Sequence, residues 1–182
     1  DLQAIVTAIG RRNRRHDPAT RLPLARIDLS GANFSGAHLE GADLRGAHLK
    51  GADFRLAHLE RADFDGAHLE RAKLIGAHLE GADLDEAHLE RAWLVEAHLE
   101  GADFDGAHLE RAWLMEAHLE RAYLARAHLE GANLQNSNVT QEQIDGAHGD
   151  TKTQLPVGLT RPEGWTVRAN SNVASSEGGR SA

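Results

Sequence analysis

An alanine stands at every fifth position from Ala32 to Ala132, and two residues after each one stands a leucine or phenylalanine, from Phe34, Leu39, Leu44, Leu49 and Phe54 through to Leu134. A repeat this strict constrains the architecture before any other property does. An α-helix fails on geometry, although Ala, Leu, Glu and Arg all favour one. Five residues advance about 500° around a helix, so the leucines would wander over its surface and form no stripe. A single straight strand fails as well, because alternate side chains face opposite sides and an odd period would flip the leucines at every step. The pattern is satisfied if the chain turns a corner every five residues. Alanine and leucine, two apart, then both point inward, the residue between them and the residue after leucine point outward, and the fifth residue makes the corner. Glycine suits that corner, as at Gly41, Gly51, Gly81 and Gly101.

Four such sides close a coil of twenty residues, and successive coils stack as parallel strands about 4.8 Å apart. The sequence supports twenty independently: Trp93 and Trp113 are twenty apart, as are Asp43, Asp63, Asp83 and Asp103. The interior is narrow, with room for alanine and nothing larger opposite the leucines. Backbone ladders and leucine stacking hold the coil, and each coil touches only its neighbours.

The units GADLR (41–45), GAHLE (36–40) and RAWLV (91–95) resemble the A-(D/N)-L-x-x consensus of the pentapeptide repeat family, over residues 24–147. The resemblance implies an all-β solenoid, a right-handed quadrilateral β-helix of about six 20-residue coils. The departure is histidine where Asp or Asn is usual, and that position faces outward. The stretch LQAIVTAIGRR (2–12) is similar to a segment preceding the repeats in larger bacterial members, some of them membrane-anchored. TKTQLPVGLTRPEGW (151–165) resembles the tails that follow the last coil.

At 182 residues the chain reads as one domain with four parts: an N-terminal capping helix and linker (1–22), the repeat β-helix (23–147), a C-terminal cap segment (148–168) and a disordered tail (169–182). Solenoid ends expose unpaired backbone and bare leucines, which is the reason to expect a short helix over the first coil and Leu155, Leu159 and Trp165 over the last. Thr140 with Gln143 forms a capping-box pattern and predicts a brief helical turn. There is no cysteine, hence no disulfide framework or thiolate site, which fits a reducing compartment and a cytoplasmic location. No apolar run approaches a membrane span and no secretory signal is present. The sequence begins at Asp1 rather than Met, so a longer parent chain is expected, and a membrane would enter only through it. Residues 1–26 carry six Arg against two Asp, a net +4, whereas residues 29–134 carry 20 acidic and 10 basic residues, a net −10. Such an acidic rod should repel nucleic acid, so direct nucleic-acid binding is not expected.

The outer positions fall into four columns. One carries Asp43, Asp63, Asp83 and Asp103 before the leucine, Asp65, Asp85 and Asp105 after it, and ends at Tyr123. Asp before the leucine supports local backbone turns; Asp after it has no such explanation, and the stack should raise its members' pKa values. The opposite column holds Lys73, Trp93 and Trp113, with Ile75, Val95 and Met115 beside them and Arg71, Arg91 and Arg111 on the adjoining corner, close enough to stack on the indoles. Exposed Trp, Met and Ile flanked by Arg match the composition of interface hot spots. The last two columns are His38, His58, His78, His98, His118 and His48, His68, His88, His108, His128, all but His48 followed two residues later by Glu. Repeat duplication explains this block, and a surface ladder lacks the closed cage of a structural zinc site, so no metal is expected.

No nucleophile elbow, phosphate loop, HExxH or dinucleotide fingerprint occurs, and the narrow core leaves no pocket in which a carboxylate pair could be tuned. The expected function is a non-enzymatic scaffold, without cofactor, that binds a protein partner or a second copy of itself through the Trp face. The alternative is an acidic DNA mimic against a DNA-binding enzyme such as DNA gyrase. Some members of the resembling family are dimeric inhibitors of type II topoisomerases, joined end to end by C-terminal elements; here that segment is short and carries Pro156 and Pro162.

Overall fold

The computed structural model describes residues 22–165. The expected helix and linker over 1–22 and the tail over 169–182 therefore lie outside the described residues, Leu22 excepted. Within them the backbone register is nearly constant. Parallel bridges join each residue to the one twenty positions later, from Pro23↔Asp43 to His128↔His148, and only the final bridge, Asn133↔Gln154, slips by one. Four bridged columns result. The amide of each inward leucine donates to the carbonyl nineteen residues on, as from Leu44 to Asp63 at 2.7 Å, and the next coil donates back, as from Asp63 to Ala42 at 2.9 Å. The sides are shorter than strands in the ordinary sense. Each contributes a single bridged residue, because the chain turns before a second pair can form.

From Ala42 to Leu114 every inward Ala, Leu and Phe is at most 1% exposed. The two inner positions of each unit thus form one continuous apolar axis, and apolar burial is the main favourable term available to so slender a fold. Phe54 stacks on Phe34 of the preceding coil at 4.9 Å between ring centroids and meets Phe64 edge-on across the axis at 6.3 Å.

The corners are β-turns closed by an alanine amide donating to the leucine carbonyl three residues earlier, at 2.8–3.2 Å. The fifth residue sits at positive φ in every unit from Arg26 to Asn136. With the residue before it at negative φ, this is the type II geometry, which favours glycine at that position. Only part of the series is glycine: twelve corners are Arg, Glu, Leu or Asn at φ of +52° to +61°. A left-handed conformation costs an L-residue about 1–2 kcal/mol. It persists because ladder bonds and buried neighbours on both sides leave the corner no alternative.

The coil ends in polar caps. After Val139 comes a short helix, α1 (Gln141–Asp145), whose N-cap Thr140 and Gln143 satisfy each other's backbone in a capping box. Gln143 Nε2 also donates to the carbonyls of Leu119 and Ala122 at 2.7 and 2.8 Å, and Asn138 Oδ1 accepts from the Leu119 amide. These groups take the partners that a further coil would have supplied. On another side buried Thr153 donates to the Leu129 carbonyl at 2.8 Å, while Asp150 Oδ1 accepts from the Gly131 amide at 3.0 Å. Trp165 is 4% exposed and donates from Nε1 to the Ala147 carbonyl, with Leu155 and Leu159 packed partly buried against the core. Its ring lies so close to Gly149 that a Cβ there would meet it at 2.6 Å. Among the described residues no helix is long and apolar enough to cross a membrane.

Candidate interaction faces

The alternation of inward and outward residues gives four faces of different chemistry on one frame. On the apolar face Trp93 and Trp113 are bridged neighbours in successive coils, 45% and 51% exposed, with ring centroids 6.3 Å apart and planes at 27°. Ile75, Val95 and Met115 are half-buried beside them, and Lys73 stands one coil earlier in the same column. Arg71, Arg91 and Arg111 are exposed at the adjoining corner. Among the described residues no arginine stacks on either indole. The Arg111 side chain instead runs along its own corner, with Cγ 3.3 Å from where a Cβ on Gly131 would lie. A corner residue at positive φ leaves the backbone over the next coil's corner and not over the flat face. Glu90, Arg91, Glu110, Arg111 and Glu130 line an open groove along this edge, ending at Asp150 and Lys152.

The acidic face lies opposite. Asp43, Asp83 and Asp103 each accept from the amide two residues on, and Asp63 accepts from Asp65 at 3.3 Å, so aspartate before the leucine does support the local turn. The column is not a uniform stack of like charges. Arg45 pairs with Asp43 at 2.8 Å and reaches Asp63 at 3.5 Å, and Arg126 donates from Nε and Nη2 to the two carboxylate oxygens of Asp105. The hydrogen bond from Arg126 holds the Asp105 carboxyl below its usual range. Asp85, between them, moves the other way: burial pushes its pKa up, and the charges of Asp105, Glu86, Asp103 and Asp65 push it further. Its Oδ1 is buried without a hydrogen-bond partner. The carboxylates crowd around Asp85 from both neighbouring coils. Tyr123, 56% exposed, ends the face.

The remaining faces are ladders of stacked imidazoles. Ring centroids lie 4.5–5.0 Å apart in both columns. The second column gains a sixth ring, His148, bridged to His128. The twenty-residue spacing could have found it, although the flanking repeat has decayed there. Most rings keep Nδ1 near the Glu two residues on, from 3.0 Å at His38 to 4.0 Å at His68.

The family profile for pentapeptide repeats matches the chain in eight copies, spanning residues 24–61, 52–91, 62–101, 82–121 and 102–141. The chain belongs to the pentapeptide repeat family. No curated protein sequence matches it. Among solved structures, HetL, a pentapeptide repeat protein involved in heterocyst differentiation regulation from the cyanobacterium Nostoc sp. strain PCC 7120, is 30% identical over 84% of this chain and 75% of that one, with a TM-score of 0.42. QnrB1, a plasmid-mediated fluoroquinolone resistance protein, is 21% identical over 80% of this chain and 84% of its own, with a TM-score of 0.39. A pentapeptide repeat protein of the Arabidopsis thaliana thylakoid lumen is 29% identical over 70% and 66%, with a TM-score of 0.29.

Pentapeptide repeat proteins are typically non-enzymatic, and membership implies the right-handed quadrilateral β-helix. Within that family frame the acidic column keeps the usual residue before the leucine, and the two histidine columns are where this pentapeptide repeat protein departs from the consensus.

Proposed function

We propose that this pentapeptide repeat protein is a rigid, non-enzymatic scaffold that engages a protein partner through the face of Trp93 and Trp113. The observation carrying this reading is the pair of adjacent indoles, each about half exposed, in successive coils of one face. Met115, Val95 and Ile75 extend the apolar surface, and Arg71, Arg91 and Arg111 supply a cationic rim. Large aromatic groups beside arginine are the residues most often found to dominate binding energy, and a contiguous apolar patch on a soluble surface marks a contact site. The rod needs no mobile part, since the backbone ladder fixes the spacing of the anchors. A second copy of the chain is the simplest partner. The reading places about six coils in a bacterial cytoplasm. Sedimentation of the wild type against W93A/W113A reads self-association, and capture on the immobilised rod reads other partners. Loss of either in the double variant, with melting unchanged, supports the face; equal association by the variant refutes it.

The second reading, an acidic DNA mimic acting on an enzyme such as DNA gyrase, is favoured by the central carboxylates Asp65, Asp83, Asp85 and Asp103, and above all by the crowding that raises Asp85. Arg45 and Arg126 shorten the acidic run at both ends, which counts against it. It requires that D83K and D103K abolish inhibition of gyrase supercoiling while W93A leaves it intact; no inhibition by the wild type removes it.

A further inference from the structure

The two histidine columns carry an arrangement that duplication of a block does not explain. Except for Glu120, each Glu that follows a histidine turns one oxygen, Oε1, toward imidazole Nδ1. In Glu60, Glu70, Glu80, Glu90, Glu100 and Glu110 the other oxygen, Oε2, is shielded from solvent and has no hydrogen-bond partner. A carboxylate oxygen in that state is costly unless a cation or donor reaches it. The clearest case is Glu100. Its Oε1 lies 3.6 Å from His98 Nδ1 in its own coil and 3.7 Å from His118 Nδ1 in the next. The His118 ring is turned 29° out of the stack toward it, where the preceding rings of the column stay within 9° of parallel. Glu120, the carboxylate of the His118 unit, is held by Asn138 instead.

Zinc takes imidazole nitrogen and carboxylate oxygen at about 2.0–2.2 Å, so ligands of one tetrahedral ion stand about 3.4 Å apart. Both Glu100–His distances are within a few tenths of an ångström of that spacing, and all three ligand atoms lie within 4.8 Å of one another. The backbone ladder fixes the coils from which they project, so little ordering remains to be done on binding. The side chains are between a third and a half exposed, which leaves an outward position for water. Imidazole with carboxylate suits Zn²⁺, Cu²⁺ or Ni²⁺ and does not suit Mg²⁺.

Four more triads bring their ligand atoms within 4.8 Å of one another: His38–Glu40–His58, His78–Glu80–His98, Glu90–His108–Glu110 and Glu110–His128–Glu130. We propose that the two histidine columns form a linear array of divalent transition-metal sites, built from His and Glu of adjacent coils. His98 and Glu110 each serve two triads, so the five triads hold three ions at once. The inference is independent of the protein-binding reading, which uses a different face.

The untagged chain is titrated with Zn²⁺ by calorimetry, with Mg²⁺ as the negative probe. The expected result is about three Zn²⁺ per chain, two in H98A or E110Q, one in H98A/E110Q, and no heat from Mg²⁺. Binding should weaken on acidification, since protons compete for the imidazoles. All the substituted side chains lie on the surface, and H98Q serves if H98A melts lower than the wild type. Absence of zinc binding at millimolar concentration overturns the proposal, as does a stoichiometry that H98A and E110Q leave unchanged.

Discussion

The interior and the exterior of this solenoid obey different rules. Inside, all four sides are the same: alanine and leucine or phenylalanine, buried to within 1% through the middle coils. Outside, the four sides carry indoles, carboxylates and two imidazole ladders on one backbone register. The fold therefore consumes two residues in five, adds a conformational demand at one corner residue, and leaves two positions per side to be chosen for chemistry. What a face presents can change without altering the coil, and a repeat of this kind can carry several unrelated surfaces.

The contrast predicts a graded response to substitution. The largest effect should come from the interior: Ala82→Phe inserts a ring where the opposing leucines leave room for a methyl group. Overpacking of a dense core costs about 1–3 kcal/mol or more, and a slender coil has no slack to absorb it, so a clear drop in melting temperature is expected. Unchanged melting would break the distinction between inside and outside. A smaller effect of opposite sign is expected at the corners. Leu56 is 64% exposed at φ +57°, a conformation that a branched side chain tolerates poorly. Leu56→Gly removes left-handed strain at the expense of backbone entropy, for a net gain of up to about 1 kcal/mol in denaturant unfolding. A loss would mean that the exposed leucine makes a stabilising contact.

The outer faces should respond least, and through pH. Asp85 has a raised folded-state pKa. Its ionisation therefore destabilises the fold above that pKa, and the penalty is relieved as pH falls through it. Asp85→Asn should raise the melting temperature slightly at pH 7, with the gain vanishing under acid conditions. Asp105, depressed by Arg126, has the opposite sign: its contribution is present above the unfolded carboxylate pKa and is lost as pH falls through the folded value. Arg126→Ala should accordingly lower melting at neutral pH and have little effect in acid.

Much of this was legible in the sequence because it follows from periodicity. The five-residue recurrence of alanine identified the inward pair, and the twenty-residue recurrence of Trp and Asp assigned the four columns before any coordinates. What stayed hidden depends on side-chain direction and on tolerance. The corner arginines were expected over the indoles, yet Arg111 follows its own column toward Gly131, since a left-handed residue aims its side chain along the stack. Glycine was the natural corner residue, but the ladder enforces the same turn on Arg, Glu and Leu. Arg45 and Arg126 were counted as charges and not placed as partners of the aspartates. The second role of Gln143, closing the carbonyls of Leu119 and Ala122, has no sequence signature beyond the capping box. The buried Glu oxygens beside the histidines are likewise visible only in three dimensions.

The register itself is open to direct measurement, because a chain without cysteine accepts spin labels cleanly. Pairs that share Asp28→Cys and place the second cysteine at His88, His108 or His128 lie three, four and five coils apart in one column. Electron–electron distance measurements should give backbone separations of about 14, 19 and 24 Å, rising by one inter-strand spacing per coil. Distances that do not rise in equal steps with each twenty residues would contradict the four-sided coil and every face assigned on it.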